Sequence, residues 1–379
     1  MPCRRSAAYG GLRAAAPPVF AGRRTNAISL NHVRSDMQYR TLGNTGAVVS
    51  NYALGTMTFG AEADEETSHA ILDDYVASGG NFIDTADVYS AGTSEAIVGR
   101  WLAQRPDARE QVVIATKGRF PTGGSPNDVG TSRRHLTRAL DESLRRLGVE
   151  QIDLYQMHAW DPVTPLEETL RFLHDSVSRG KIAYYGFSNY LGWQLTKAAH
   201  LAKAHGWNAP VTLQPQYSLL VREIEWEIVP AALDAGIGLL PWSPLGGGWL
   251  SGKYKRDVPP AGATRLGENP TRGMEAWQER NDNPHTWDVI DAVAEVAGAR
   301  GASEAQVALA WLAGRPAVTS VILGARSTEQ LADNLAAAQL QLSGEEVQLL
   351  TDASRPRAGV YPYGPRAREQ RSRKIEGGR

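Results

Sequence analysis

Eight short apolar runs, separated by amphipathic stretches of helical period, set the strongest constraint on how this 379-residue chain folds. The runs are NYALGTM, NFIDTAD, QVVIATK, QIDLYQMH, IAYYGFSN, VTLQPQY, GIGLLPWS and SVILGA. Near-continuous apolar character over roughly 4–8 residues is what strands covered on both faces require. Between them, EETSHAILDDYVASGG ends on a double glycine, SEAIVGRWLAQRP stops at Pro106, and RRHLTRALDESLRRLG follows Thr131 and Ser132, either of which offers an N-cap. PLEETLRFLHDSVSRG opens with Pro165 in its first turn and closes on Gly180. GWQLTKAAHLAKAHGW and EWEIVPAALDAG continue the series. A Gly/Pro-rich stretch over about 246–285 and two further helical patterns precede the last run, and STEQLADNLAAAQL follows it. Strand and helix alternating eight times predict an α/β fold, a single (β/α)8 TIM barrel with extra helices around the eighth strand. A doubly wound open sheet is the alternative, but such sheets rarely continue through eight comparable units. QYRTLGNTGAVVS predicts an N-terminal β-hairpin, turning at Asn44-Thr45-Gly46, that plugs the bottom of the barrel.

The ends of the chain read differently. Residues 1–36 carry six arginines, no acidic residue before Asp36 and no periodicity. They are expected to be a disordered or non-native extension, with orderly chain starting at Met37; a transit-type presequence is the competing reading, against which Pro17-Pro18 argues. The barrel is expected over 37–354, and 355–379 form an Arg- and Gly-rich tail that serves as a lid or an interface segment. Forty basic against 41 acidic residues leave no electrostatic footprint for nucleic acid or an anionic membrane. No apolar run approaches the ~20 residues of a membrane-spanning helix. The single cysteine, Cys3, cannot form an intrachain disulfide, which fits a reducing compartment such as the cytoplasm or simple indifference to redox.

In a (β/α)8 barrel, reactive groups sit where strands end and loops begin. Those positions carry Asp84 and Tyr89 after the second run, Lys117 on the third, His158 on the fourth, Ser188 and Asn189 on the fifth, Gln214 on the sixth, and Trp242-Ser243 on the seventh. Singly, Asp84 reads as a helix cap, Lys117 as a snorkelling lysine and His158 as a rim histidine. Together on one rim they support proton transfer. A lysine ammonium lowers a tyrosine pKa from about 10 toward the working range. An aspartate holds the lysine charged, and a histidine orients a carbonyl oxygen beside the phenol. The set contains no nucleophile-and-base pair and no metal-ligand cluster, so a hydride has to come from a cofactor. A metal-dependent hydrolase on the same barrel would want paired histidines at strand ends, and only His158 qualifies.

The stretches NFIDTADVYSAGTSE, VVIATKG, DLYQMHAWD, YYGFSN, QPQYSLL, WSPLGGGWLSGKY and VILGARSTEQLADN resemble, in order, the aldo-keto reductase superfamily, from roughly Met37 to Thr351. The resemblance extends to its bacterial and potassium-channel β-subunit-like branches. It implies a catalytic tetrad of Asp84, Tyr89, Lys117 and His158, with Tyr89 as general acid, and a nicotinamide cofactor, NADPH over NADH, lying extended across the barrel mouth. It assigns Ser188, Asn189 and Gln214 to the nicotinamide carboxamide, and Trp242 to the stacking ring. Ser243, Leu245, Gly246, Lys253 and Arg265 fall in the pyrophosphate belt. Thr56, Gly324, Arg326, Gln330 and Asn334 complete the cofactor contacts. Absence of a G-x-G-x-x-G strand-turn-helix agrees with a cofactor held outside any Rossmann domain. One departure is that Gly324 and Gln330 stand where many members place a lysine and an arginine around the adenosine 2′-phosphate. Arg326 is a neighbouring cation. The loop RFPTGGSPNDVGTSRRH and Trp160 are expected to shape the substrate pocket. The resemblance implies NADPH-dependent reduction of a small-molecule aldehyde or ketone. A redox-sensing subunit that turns bound NADPH over slowly is the alternative, and a homo-oligomer is left open.

Overall fold

The computed structural model of the chain describes residues 37–262, 264–271 and 275–371. What was expected of residues 1–36, and of the tail beyond 371, lies outside the described residues. An antiparallel hairpin comes first, β1 (Tyr39–Thr41) and β2 (Val48–Ser50). All eight apolar runs then form strands: β3 (Tyr52–Gly55), β4 (Phe82–Asp84), β5 (Val113–Gly118), β6 (Ile152–Met157), β7 (Ile182–Ser188), β8 (Thr212–Gln214), β9 (Gly238–Leu239) and β10 (Val321–Gly324). They form one parallel sheet in the order β10-β3-β4-β5-β6-β7-β8-β9. The seam between β9 and β10 closes through a parallel bridge between Leu239 and Val318, and through the Ile322 amide, which donates to the Pro241 carbonyl at 3.0 Å. The barrel is a (β/α)8 barrel.

The helices begin and end on local chemistry. Asp64 caps Glu65–Ala77 by accepting from the Thr67 amide at 2.9 Å. Ser132, not Thr131, caps Arg133–Leu147, because Thr131 is turned to Asp161, which accepts its amide at 2.7 Å. Pro165 occupies the N-cap of Leu166–Ser178, one step earlier than the first-turn position expected. Around the eighth barrel strand lie Pro284–Arg300 and Glu304–Ala313 before it, then Thr328–Leu335 and Gly344–Ala353 after it. In the tail, Tyr363 stacks on Trp226 at 4.9 Å and donates its hydroxyl to Glu227, ahead of a short helix, Pro365–Arg371.

Two apolar shells follow from this arrangement. The outer one lies between strands and helices. The inner one joins Ala53, Phe82, Ala115, Leu154, Leu240 and Ile322 of the barrel to Leu42 and Val49 of the hairpin, so the hairpin does plug the barrel. Gly43 makes that fit: its φ is +57°, and a Cβ there would stand 2.2 Å from the Val211 carbonyl oxygen.

Candidate active site

Parallel pairing of β4 with β5 brings Asp84 and Lys117 side by side. The Lys117 side chain is wholly buried, and its ammonium donates to Asp84 Oδ2 at 2.5 Å, to the Thr85 carbonyl at 2.9 Å and to the Tyr89 hydroxyl at 3.3 Å. Asp84 Oδ1 accepts from Gln214 Nε2 at 2.9 Å and from Gln156 Nε2 at 3.3 Å, so both carboxylate oxygens are engaged. Tyr89 opens a tight turn, Tyr89–Gly92, in which Ser90 and Ala91 take φ of 47° and 53°. Left-handed backbone at two non-glycine residues costs on the order of 1–2 kcal/mol each. Ser90 offsets part of this by donating to the Phe59 carbonyl at 3.0 Å. His158 follows β6, edges onto Tyr89 with ring centres 5.8 Å apart, and packs against Phe120 at 4.6 Å on another side.

The electrostatics differ from the sequence expectation in one respect. Burial raises the Tyr89 phenol above its ordinary value and Lys117 only partly opposes it, while Asp84 adds to the rise. Tyr89 is therefore a protonated donor at neutral pH. Burial alone would push the Lys117 ammonium down, but Asp84 and then Tyr89 overcome it, and the group stays charged. His158 is lowered to about 2, first by burial and then by the positive charges of Lys117 and Arg119. Its ring is neutral at any working pH, with Nδ1 buried and without a hydrogen-bond partner among the described residues.

The carboxyl ends of the strands open into a cavity of about 760 Å³. It is lined by Asp84, Tyr89 and His158, with Lys117 buried and off its wall. Ser188, Asn189, Gln214 and Trp242 line it as well. Asn189 donates to the His158 carbonyl at 2.9 Å and accepts from Trp242 Nε1 at 3.1 Å, holding that ring at the cavity wall. Asn189 and Ser243 have φ of 57° and 52°, uncommon for non-glycine residues and located where two strands hand over to their loops. Ser243, Leu245 and Lys253 also line it, beside the glycine loop in which Gly247 and Gly248 have left-handed φ of 66° and 104°. The loop and helix after β10 add Gly324, Arg326, Gln330 and Asn334 to the lining. There Ser327 caps Thr328–Leu335, and Gln330 accepts from the Arg326 amide at 2.9 Å. The Arg326 guanidinium lies 3.7 Å from Glu62 and 3.6 Å from Glu268.

Three expected cofactor residues are placed otherwise or stand outside this description. Thr56 is fully buried and does not line the cavity; its hydroxyl lies 2.8 Å from Ser94 Oγ and donates to the Asp84 carbonyl at 3.2 Å. Gly246 lies just off the wall formed by Gly247 and Gly248. The Arg265 side chain lies outside the described residues. Of the expected pocket shapers, Phe120 reaches His158, whereas Trp160 packs edge-on against Tyr190 and Trp193 and is not on the cavity wall. Gln156 was not foreseen, although an amide inside the apolar run two residues before His158 is a signal for it. Glu62, Gln216 and Glu275 also line the cavity, from loops whose sequence gave no sign of it. No group of three or more metal-ligating side chains occurs among the described residues.

A barrel whose strand ends collect an aspartate, a tyrosine, a buried lysine and a histidine beside one cavity defines a class, and the comparisons agree with it. The model of the Aldo/keto reductase family matches residues 52–355, and the chain belongs to that family. It is 38% identical over 324 residues to the oxidoreductase YrpG of Bacillus subtilis, covering 83% of this chain and 95% of that one. It is 35% identical over 349 residues to versiconal hemiacetal acetate reductase of Aspergillus parasiticus, covering 86% and 99%. It is also 36% identical over 303 residues to a "Probable voltage-gated potassium channel subunit beta" of Oryza sativa subsp. japonica, covering 79% and 91%. No helix among the described residues is long and apolar enough to cross a membrane.

Proposed function

We propose that this chain is a cytoplasmic NADPH-dependent reductase of a small aldehyde or ketone, with Tyr89 as the general acid. The observation that carries the reading is the buried ammonium of Lys117, 2.5 Å from Asp84 and 3.3 Å from the Tyr89 hydroxyl. The donor set suits a nicotinamide dinucleotide: amide and hydroxyl groups of Ser188, Asn189 and Gln214 for a carboxamide, the Trp242 ring for stacking, left-handed glycines and Lys253 for a pyrophosphate, and Arg326 at a capped helix start for a phosphate. When bound in reduced form, that cofactor supplies the hydride. Tyr89 gives its proton to the carbonyl oxygen as charge develops there, and Lys117 stabilises the phenolate left behind. Gln214 and Gln156 fix Asp84, the lysine's partner, so the ammonium does not reorganise during the step. His158, neutral, helps position the carbonyl oxygen against the phenol. The test is NADPH oxidation by the purified protein over a panel of short aldehydes, α-dicarbonyls, sugars and ketosteroids; sustained multiple turnover supports the reading. The likeness to a channel β subunit favours a second one, a redox-sensing subunit, for which the same panel would give a single slow oxidation of bound NADPH.

A further inference from the structure

Behind Lys117 lies a second carboxyl that the reaction outlined above does not use. Asp87 sits between Asp84 and Tyr89 in sequence, and its amide donates to the Lys117 carbonyl at 3.1 Å. It is 3% exposed, yet neither carboxylate oxygen makes a well-formed hydrogen bond among the described residues, the adjacent Val88 amide being the one donor close to it. The hydroxyl of Tyr155, from β6, is wholly buried and has no hydrogen-bond partner among them. Both approach one point: Tyr155 OH and Asp87 Oδ2 lie 2.2 and 3.6 Å from where a Cβ on Gly118 would stand. Along β5, Lys117 points into the barrel, while Thr116 and Gly118 point the other way. Thr116 donates to Glu95 at 2.5 Å, and Arg146 donates to the other oxygen of Glu95 at 2.7 Å. Glu95 is therefore spoken for, and Asp87 is the uncommitted acid of the cluster.

We propose that Asp87 is a positioning residue of the reaction, a buried carboxyl whose charge state sets the proton affinity of the Lys117–Tyr89 pair. This rests on Tyr89 being the acid. The charged groups facing Asp87 are Glu95 from the helix Thr93–Gln104, Arg146 from Arg133–Leu147, and Lys117 from β5, with the neutral Tyr155 hydroxyl from β6. Burial and then Glu95 raise its carboxyl to about 7, against the pull of Arg146 and Lys117. A negative charge on Asp87 in turn raises the Tyr89 phenol. A carboxyl so raised changes charge in the neutral range, two residues from Tyr89 in the chain.

The experiment is the pH profile of kcat/KM for carbonyl reduction by the full chain and its Asp87→Asn variant. The variant is expected to show its alkaline limb at lower pH, by up to about one unit, because one of the negative charges that add to the effect of burial on the phenol is gone. Superimposable profiles overturn the proposal. Should Asp87→Asn fail to fold, infrared difference spectra of the wild-type chain decide. A neutral-carboxyl stretch that disappears as pH rises through about 7 and that moves in Tyr155→Phe supports it; absence of that band overturns it. Retained turnover in Tyr89→Phe would instead remove the reading of Tyr89 on which this rests, whatever the Asp87 profile shows.

Discussion

The ammonium of Lys117 stands 3.3 Å from the hydroxyl of Tyr89 and 4.9 Å from the centre of its ring. The lysine thus contacts the phenol oxygen and also lies close to its π-system, in a place no water reaches. A charge so placed costs several kcal/mol to bury and is kept only because Asp84 pairs with it. Lys117→Met is accordingly expected to reduce turnover by ~10²-fold or more, since the phenolate loses its counter-charge.

His158 is held neutral, which gives its pH dependence a definite sign. Its ring, lowered to about 2 in the fold, takes up a proton near 6.5 when the chain unfolds. The unfolded state therefore binds more protons between these values, and stability falls as pH drops from about 6.5 toward 2. Urea unfolding of His158→Gln from pH ~4.5 to ~7 should show a flatter dependence than wild type. An equally steep one would mean that His158 titrates in the fold.

Arg326 is proposed to read the adenosine 2′-phosphate. It now sits loosely between Glu62 and Glu268, at 3.7 and 3.6 Å, at the start of a capped helix. Arg326→Ala should raise KM for NADPH at least about tenfold, from ~1.5–3 kcal/mol for a lost charged hydrogen bond, and leave NADH kinetics nearly level. Equal losses with both cofactors would place Arg326 away from that phosphate.

How much of this was legible in the sequence follows from which residues interrupt an apolar run. Lys117 and His158 end strands that are otherwise apolar, so their positions announced a rim. Gln156 interrupts the same run as His158 and is the register partner of Lys117 on the neighbouring strand, but as an uncharged amide before the histidine it draws no attention to itself. Asp87 looks like part of a turn; only the packing of Glu95 and Arg146 shows it buried. The lowering expected for the Tyr89 phenol considered the lysine and not burial, which is a tertiary property and the larger effect. Thr56 lies one residue past its strand, as a cofactor contact would, but is drawn into the Ser94 hydroxyl pair instead.

Gly43 tests the hairpin plug. With φ of +57° and the Val211 carbonyl oxygen 2.2 Å from where a Cβ would stand, Gly43→Ala needs both a strained backbone and a displaced strand end. A loss on the order of 1–3 kcal/mol is expected in denaturant unfolding. An unchanged midpoint would show that the hairpin does not pin the barrel bottom.

The working unit is proposed to start at Met37, which is itself buried. A chain beginning there should keep full activity and melting temperature. A marked drop in either would assign residues 1–36 to the fold or to an interface.

The central claim is that Tyr89 delivers the proton, and single-turnover reduction of a good carbonyl substrate by Tyr89→Phe, with cofactor affinity measured alongside, tests it most directly. Removing one oxygen leaves the volume and the cavity wall in place, so NADPH affinity should survive while the chemical step slows by ~10²–10⁴-fold. Reduction at the wild-type rate with intact NADPH binding would contradict the account.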